Sequence, residues 1–218
     1  LTITTPKYCF GPDSPVADVV ELALDELGAK MNTPKQGWGD SRCVSKEEGQ
    51  PNPVTDLCRR HRIMGKRSED KFVPEAIFRL TGQQIARFLA VLYACDGHIY
   101  ASERLAQIGY TTISEQLARD VQHLLLRLGI VSKIRVLKRD VYEGTDKVAR
   151  EVLITGQQDL KRFIDLVRVA GKSTQIVRAF EYLQTTRAKT NVDTVPPAAW
   201  ALAAPEPGDR SWGAVRDR

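Results

Sequence analysis

Leu89–Gly97 reads LAVLYACDG, and its reading sets the reading of everything around it. It closes a longer apolar run, Gln84–Cys95, whose spacing predicts a helix ended by Asp96-Gly97. Ala90 and Ala94 are four residues apart and share a face, which lets a second helix come close. Gly97 suits a left-handed helix stop. Asp96 is the odd member, because a carboxylate there opposes the negative end of the helix macrodipole at a cost of roughly 0.3–1 kcal/mol. A divalent cation would compensate for that cost.

Outward from this helix, one order of elements occurs twice. In the first half, Ser14 caps a helix with Pro15 at its first position; Val20, Ala23, Leu24 and Leu27 form a face before Gly28. In the second, Thr112 and Glu115 make a capping-box pair ahead of a helix carrying Leu117, Val121, Leu124, Leu125 and Leu128 before Gly129. Strand pairs follow each, Lys30–Lys46 around Gly37–Asp40 and Val131–Thr155 around Glu143–Asp146. A further helix then closes each half, Asn52–Met64 before Gly65-Lys66 and Gln158–Ala170 before Gly171-Lys172. Two α-β-β-α units predict a pseudo-twofold molecule, a symmetry suited to a long, nearly palindromic DNA site.

LAVLYACDG resembles the LAGLIDADG motif, matching it at Leu89, Ala90, Leu92, Asp96 and Gly97. It departs at Val91, Tyr93, Ala94 and Cys95, and Val91 stands where the motif has a small residue. Lys71–Ile77 (KFVPEAI) resembles the Lys-x-x-Pro block between the two motifs of intein endonucleases. Ile113–Arg135 resembles the family's helix-then-strand after the second motif. Thr190–Trp200 (TNVDTVPPAAW) resembles the stretch after the endonuclease in inteins of replicative DNA helicases.

The resemblance implies an α+β LAGLIDADG homing-endonuclease fold: two pseudo-symmetric α-β-β-α halves with saddle-shaped antiparallel sheets, the first motif helix lying upstream of Leu1. Residues 1–83 would form the first half, 84–186 the second, and 187–218 a tail toward the rest of the intein. Asp96 would be catalytic and a ligand of Mg²⁺, meeting the acidic residue of a second motif helix packed against Ala90, Ala94 and Gly97. Lys71 would be a catalytic lysine. The implied partners are double-stranded DNA, with the rest of the intein and its host in cis, in the cytoplasm at the nucleoid. A non-catalytic relative that binds DNA or RNA, such as a maturase or a transcription regulator, is the alternative.

Period-two alternation puts Lys133, Arg135 and Arg139 on one strand face, with Ile134 and Val136 on the other. Arg150 would extend this cationic face from the partner strand. Such side chains meet phosphates or read guanine edges. The cluster Arg59–Arg62 with Lys66 and Arg67 reads as a solvated helix face, and His98 and His123 as structural.

Composition is consistent with this. A net charge of +5 over 218 residues favours a polyanionic partner. No apolar run reaches membrane-spanning length, and no Gly-rich phosphate loop or nucleophile–base grouping points to another enzyme class. The four cysteines, Cys9, Cys43, Cys58 and Cys95, lack Cys-x-x-Cys spacing and are expected as reduced thiols; Cys43, Cys58 and His61 make a poor zinc set. No splicing nucleophile starts the chain and no His-Asn pair ends it.

Overall fold

A computed structural model of the chain describes residues 7–9, 14–32, 41–45, 49–137 and 147–186. All of these lie in a unit that ends at Thr186. The predicted turns at 37–40 and 143–146 and the tail from 187 fall outside the described residues.

The chain is α+β. Its first part runs β1 (Lys7–Cys9), α1 (Pro15–Glu26), β2 (Lys30–Met31), β3 (Ser41–Ser45) and α2 (Pro53–Arg60). A short turn of helix, α3 (Glu75–Phe78), leads to α4 (Gly82–Cys95). Then come β4 (Gly97–Ala101), β5 (Ala106–Thr112), α5 (Glu115–Arg127), β6 (Lys133–Val136), β7 (Arg150–Ile154), α6 (Gln157–Leu166) and α7 (Ser173–Thr185).

The internal repeat is visible in the strand order. The first sheet is ordered β1-β3-β2 and the second β4-β5-β7-β6, with every pairing antiparallel. Removing β4 leaves β5-β7-β6, the counterpart of the first sheet strand for strand. The helix stops repeat too. Gly28 after α1 and Gly129 after α5 have φ of 69° and 71°, and Gly65 and Gly171 have 74° and 75°. Such left-handed values favour glycine, which lacks the Cβ that clashes there.

Packing is unequal between the parts. The large core joins α4, α5, α6 and α7 to one face of the second sheet through Ile85, Leu89, Tyr93, Ile108, Leu124, Val152, Ile154 and Phe163. The smaller cluster, among the described residues, is Leu24, Ala29, Val44 and Val54. On α1, Val16, Ala17 and Leu24 are buried, whereas the expected face residues Ala23 and Leu27 are exposed.

Several caps differ from the sequence reading. α4 starts at Gly82, two residues before the expected Gln84, because Thr81 and Gln84 form a capping box. α5 is capped by Ser114, whose Oγ accepts from Leu117 N–H at 3.1 Å. Thr112 instead accepts from Ser114 N–H, and Glu115 is already in the first turn. α2 stops at Arg60, short of Met64, through Arg62 at φ 58°.

Candidate functional site

Asp96 is the C-cap of α4, and its N–H reaches Leu92 O at 3.1 Å. Its side chain is exposed, so the carboxylate meets solvent at the negative helix end. The chain enters β4 at once, without the expected left-handed stop: Gly97 is buried, has no positive φ, and pairs with Tyr110. Glycine is required there for space, since a Cβ would lie 2.7 Å from Tyr93 Cα and 2.8 Å from its carbonyl oxygen. Ala90 and Ala94 are half-buried at the margin of the large core, and α4 packs against α5 and α1.

Around Asp96 the fields are legible from its neighbours. Burial, then the negative charge of Asp96, pushes the Tyr110 hydroxyl above its ordinary range. Burial and Asp96 also push the Cys95 thiol up, while the Lys172 ammonium pulls it down. Lys172 therefore stands close to the end of α4. Sequence reasoning took Lys172 only as part of a Gly-Lys helix stop.

Lys71 belongs to a segment fastened to α5. Its carbonyl accepts from Ser114 Oγ at 2.6 Å, and Val73 N–H donates to Asp120 Oδ2 at 2.9 Å. Asp120 is buried and takes a second bond from Gln116 Nε2 at 2.8 Å, so the desolvated carboxylate is satisfied. Farther along, Arg127 donates to the carbonyls of Phe78 and Leu80. The Lys71 side chain is exposed. Gly97 pairs with Tyr110, and Ser114 follows Thr112, the last residue of β5. The step from Tyr110 to Thr112 is about 7 Å at strand spacing, so the end of α4, the start of α5 and Lys71 share one end of the sheet.

One sheet face is covered by helices; among the described residues no helix covers the other, called the open face for its exposed cations, although Glu151 and Leu153 on it are buried. Pairing of Lys133 with Leu153 and Arg135 with Glu151 sets the two cations on the open face, while Ile134 packs into the core. Arg150 does not extend that face. Its register partner is Val136, and it bonds Glu115 Oε2 at 2.7 Å beside the start of α5. The period-two rule assigns Arg150 to the same side as Val152 and Ile154. Arg139 lies outside the described residues.

Two residues on the open face were missed. Glu151 is 4% exposed and accepts from Arg135 Nε, and its Oε1 is 3.0 Å from His98 Nε2. His98, read as structural, thus has a charged partner. His123 packs against Phe78 with the rings tilted at 44° and 5.3 Å between centroids.

Among the described residues no three His, Cys, Asp or Glu side chains gather into a metal cage. Asp96 offers one exposed carboxylate. That fits Mg²⁺, which is commonly held by one or two carboxylates together with phosphates and water rather than by an all-protein cage.

Residues 83–168 match the model of the LAGLIDADG-like domain. This chain carries a LAGLIDADG-like domain. The matched span runs from α4 through α6, and so contains Asp96, the open sheet face and α5. Among curated proteins, the chain is 35% identical over 157 residues to replicative DNA helicase DnaB of Rhodothermus marinus, covering 70% of this chain and 16% of that protein. It is 33% identical over 135 residues to protein RecA of Mycobacterium tuberculosis, covering 60% of this chain and 16% of that one. The chain therefore spans about a sixth of the length of these relatives. Two solved structures of the homing endonuclease I-DmoI, one in complex with its nicked target DNA in the presence of Mn, share the fold. Each has a TM-score of 0.50 at 15% identity, over 75% of this chain and 79% of that one. Among the described residues of the LAGLIDADG-bearing chain, no helix is long and apolar enough to cross a membrane.

Proposed function

We propose that the chain is the DNA-cutting part of an intein, a site-specific homing endonuclease hosted by a replicative DNA helicase and acting with Mg²⁺ in the cytoplasm. The host reading is supported by likeness to a small part, 16%, of replicative DNA helicase DnaB and of protein RecA. A segment similar to so small a part of differently named proteins behaves as a guest in each rather than as a piece of their machinery. The single observation that carries the activity is Asp96, an exposed carboxylate ending an apolar helix at the sheet end where Lys71 is fastened.

Each side chain has a role that its chemistry allows. The Asp96 carboxylate would be the ligand of a divalent cation in this half. When bound, that ion compensates phosphate charge and makes a water more acidic. The Lys71 ammonium stabilises charge developing on the phosphate oxygens. Lys133 and Arg135 hold the duplex against the open sheet face through phosphates and base edges. The half-buried Ala90 and Ala94 would accept a second motif helix, whose acidic residue would be the other ligand of the cation.

The test uses the chain within its native flanking sequence. Incubated with Mg²⁺, it linearises a plasmid carrying the host helicase gene without the insert. Asp96→Asn binds the plasmid and keeps its melting temperature but leaves the DNA uncut. Undiminished cutting by Asp96→Asn overturns the assignment, and binding without cutting by the wild type favours a non-catalytic relative.

A further inference from the structure

The open sheet face carries a row of side chains that the cleavage chemistry does not use. Glu151, on β7, is almost wholly buried although it points away from the large core. Burying a carboxylate is costly unless both of its oxygens are satisfied. Here each oxygen is taken by a different neighbour: His98 Nε2, from β4, is 3.0 Å from Oε1, and Arg135 Nε, from β6, donates to Oε2.

His98 and Glu151 lie on strands separated by β5, and the space between them is made by Gly109. Gly109 pairs directly with His98, and a Cβ on it would collide with the imidazole and lie 3.1 Å from Glu151 Oε1. The missing side chain lets the imidazole cross the intervening strand. Four strands thus contribute to one clamp, three by a side chain and one by lacking it.

The division of donors on Arg135 is informative. The guanidinium engages Glu151 through Nε, while the side chain remains 48% exposed. Recognition of guanine uses a bidentate guanidinium edge on O6 and N7. An arginine tethered through Nε is held in one plane and one direction before any duplex arrives, which reduces the rotamer entropy lost on contact. His98 is held alike, 42% exposed.

We infer that Glu151 is a positioning residue for sequence reading: it never touches DNA but presets Arg135, with His98 beside it, to select guanine at one base-pair position. This rests on the proposed use of the open face for DNA, and the test separates the two.

The full chain first selects a preferred duplex from a randomised library, and single-base variants of that duplex then serve as probes in fluorescence anisotropy. Arg135→Ala lowers the preference for guanine at one position about tenfold. Glu151→Gln lowers it at the same position by a similar factor. In the Arg135→Ala background, Glu151→Gln adds nothing further, as expected for a residue acting through Arg135. Should Glu151→Gln fail to fold, Glu151→Asp keeps the charge, withdraws the carboxylate by one methylene and carries the same comparison. Loss of selectivity in Arg135→Ala with none in a folded Glu151 variant overturns the inference. Unchanged selectivity in Arg135→Ala overturns the DNA-face reading and the inference with it. Equal weakening toward every duplex reduces Glu151 to a structural residue and also overturns it.

Discussion

Tyr93 shows how a single side chain can carry an uncompensated cost. It is fully buried within α4, its ring centroid 4.8 Å from that of Phe163 and 5.7 Å from that of Tyr110, and its hydroxyl has no hydrogen-bond partner among the described residues. Burial drives that hydroxyl far above its ordinary pKa, so it stays protonated. Tyr93→Phe keeps the aromatic contacts and removes the orphan, and is expected to stabilise the fold by about 1 kcal/mol, read as a raised denaturation midpoint. Arg62 is a second case. It holds a left-handed φ of 58°, a conformation that favours glycine, with Ile63 N–H closing on Cys58 O at 3.0 Å. Arg62→Gly is expected to add about 1 kcal/mol by relieving that strain; no gain in melting temperature would refute the strain account. Asp96 and Ala90 were legible from residue type and spacing. Gly97 was legible as a necessary glycine, but for the wrong reason: it serves not a left-handed stop but the tight turn from α4 into β4, which brings it against Tyr93 four residues earlier.

At the scale of elements, α5 does more than pack. Ser114 caps it and holds the Lys71 carbonyl, so Ser114→Ala removes two bonds at once. The expected loss is about 1–2 kcal/mol in denaturant melts, accompanied by faster amide exchange at Val73. The same helix end has an acid limit. The Arg119 side chain, then the charge of Arg150, holds the Glu115 carboxyl below its usual range. A carboxyl lowered in the fold contributes stability above its unfolded pKa and loses it as pH falls through the folded one. Acidification below about pH 4 is therefore expected to loosen this end, and Glu115→Gln to flatten melting temperature against pH there. Helices and strand pairs were legible because their apolar periods are strong. Caps were not, because two hydroxyls near α5 compete for one role; the face of Arg150 was open to reading from its alternation with Val152 and Ile154, but its partner Glu115 was not.

For the whole molecule, the repeat is legible in sequence as paired helix stops and is realised as two sheets of matching order. The open-face clamp was not legible: His98, Gly109, Arg135 and Glu151 are scattered over β4–β7 and meet only when the sheet forms. If that face takes DNA, affinity for any duplex is expected to fall steeply with salt, and Lys133→Ala to lower the slope of log K on log salt by about 1. An unchanged slope would remove Lys133 from the phosphate contacts. The tether between residues 71–73 and α5 has a further effect on how the molecule fails. A lysine moored to the first turn of a helix loses its berth when that turn frays, long before the sheet gives way. Warming is thus expected to silence cutting at a temperature where circular dichroism still reports an intact protein.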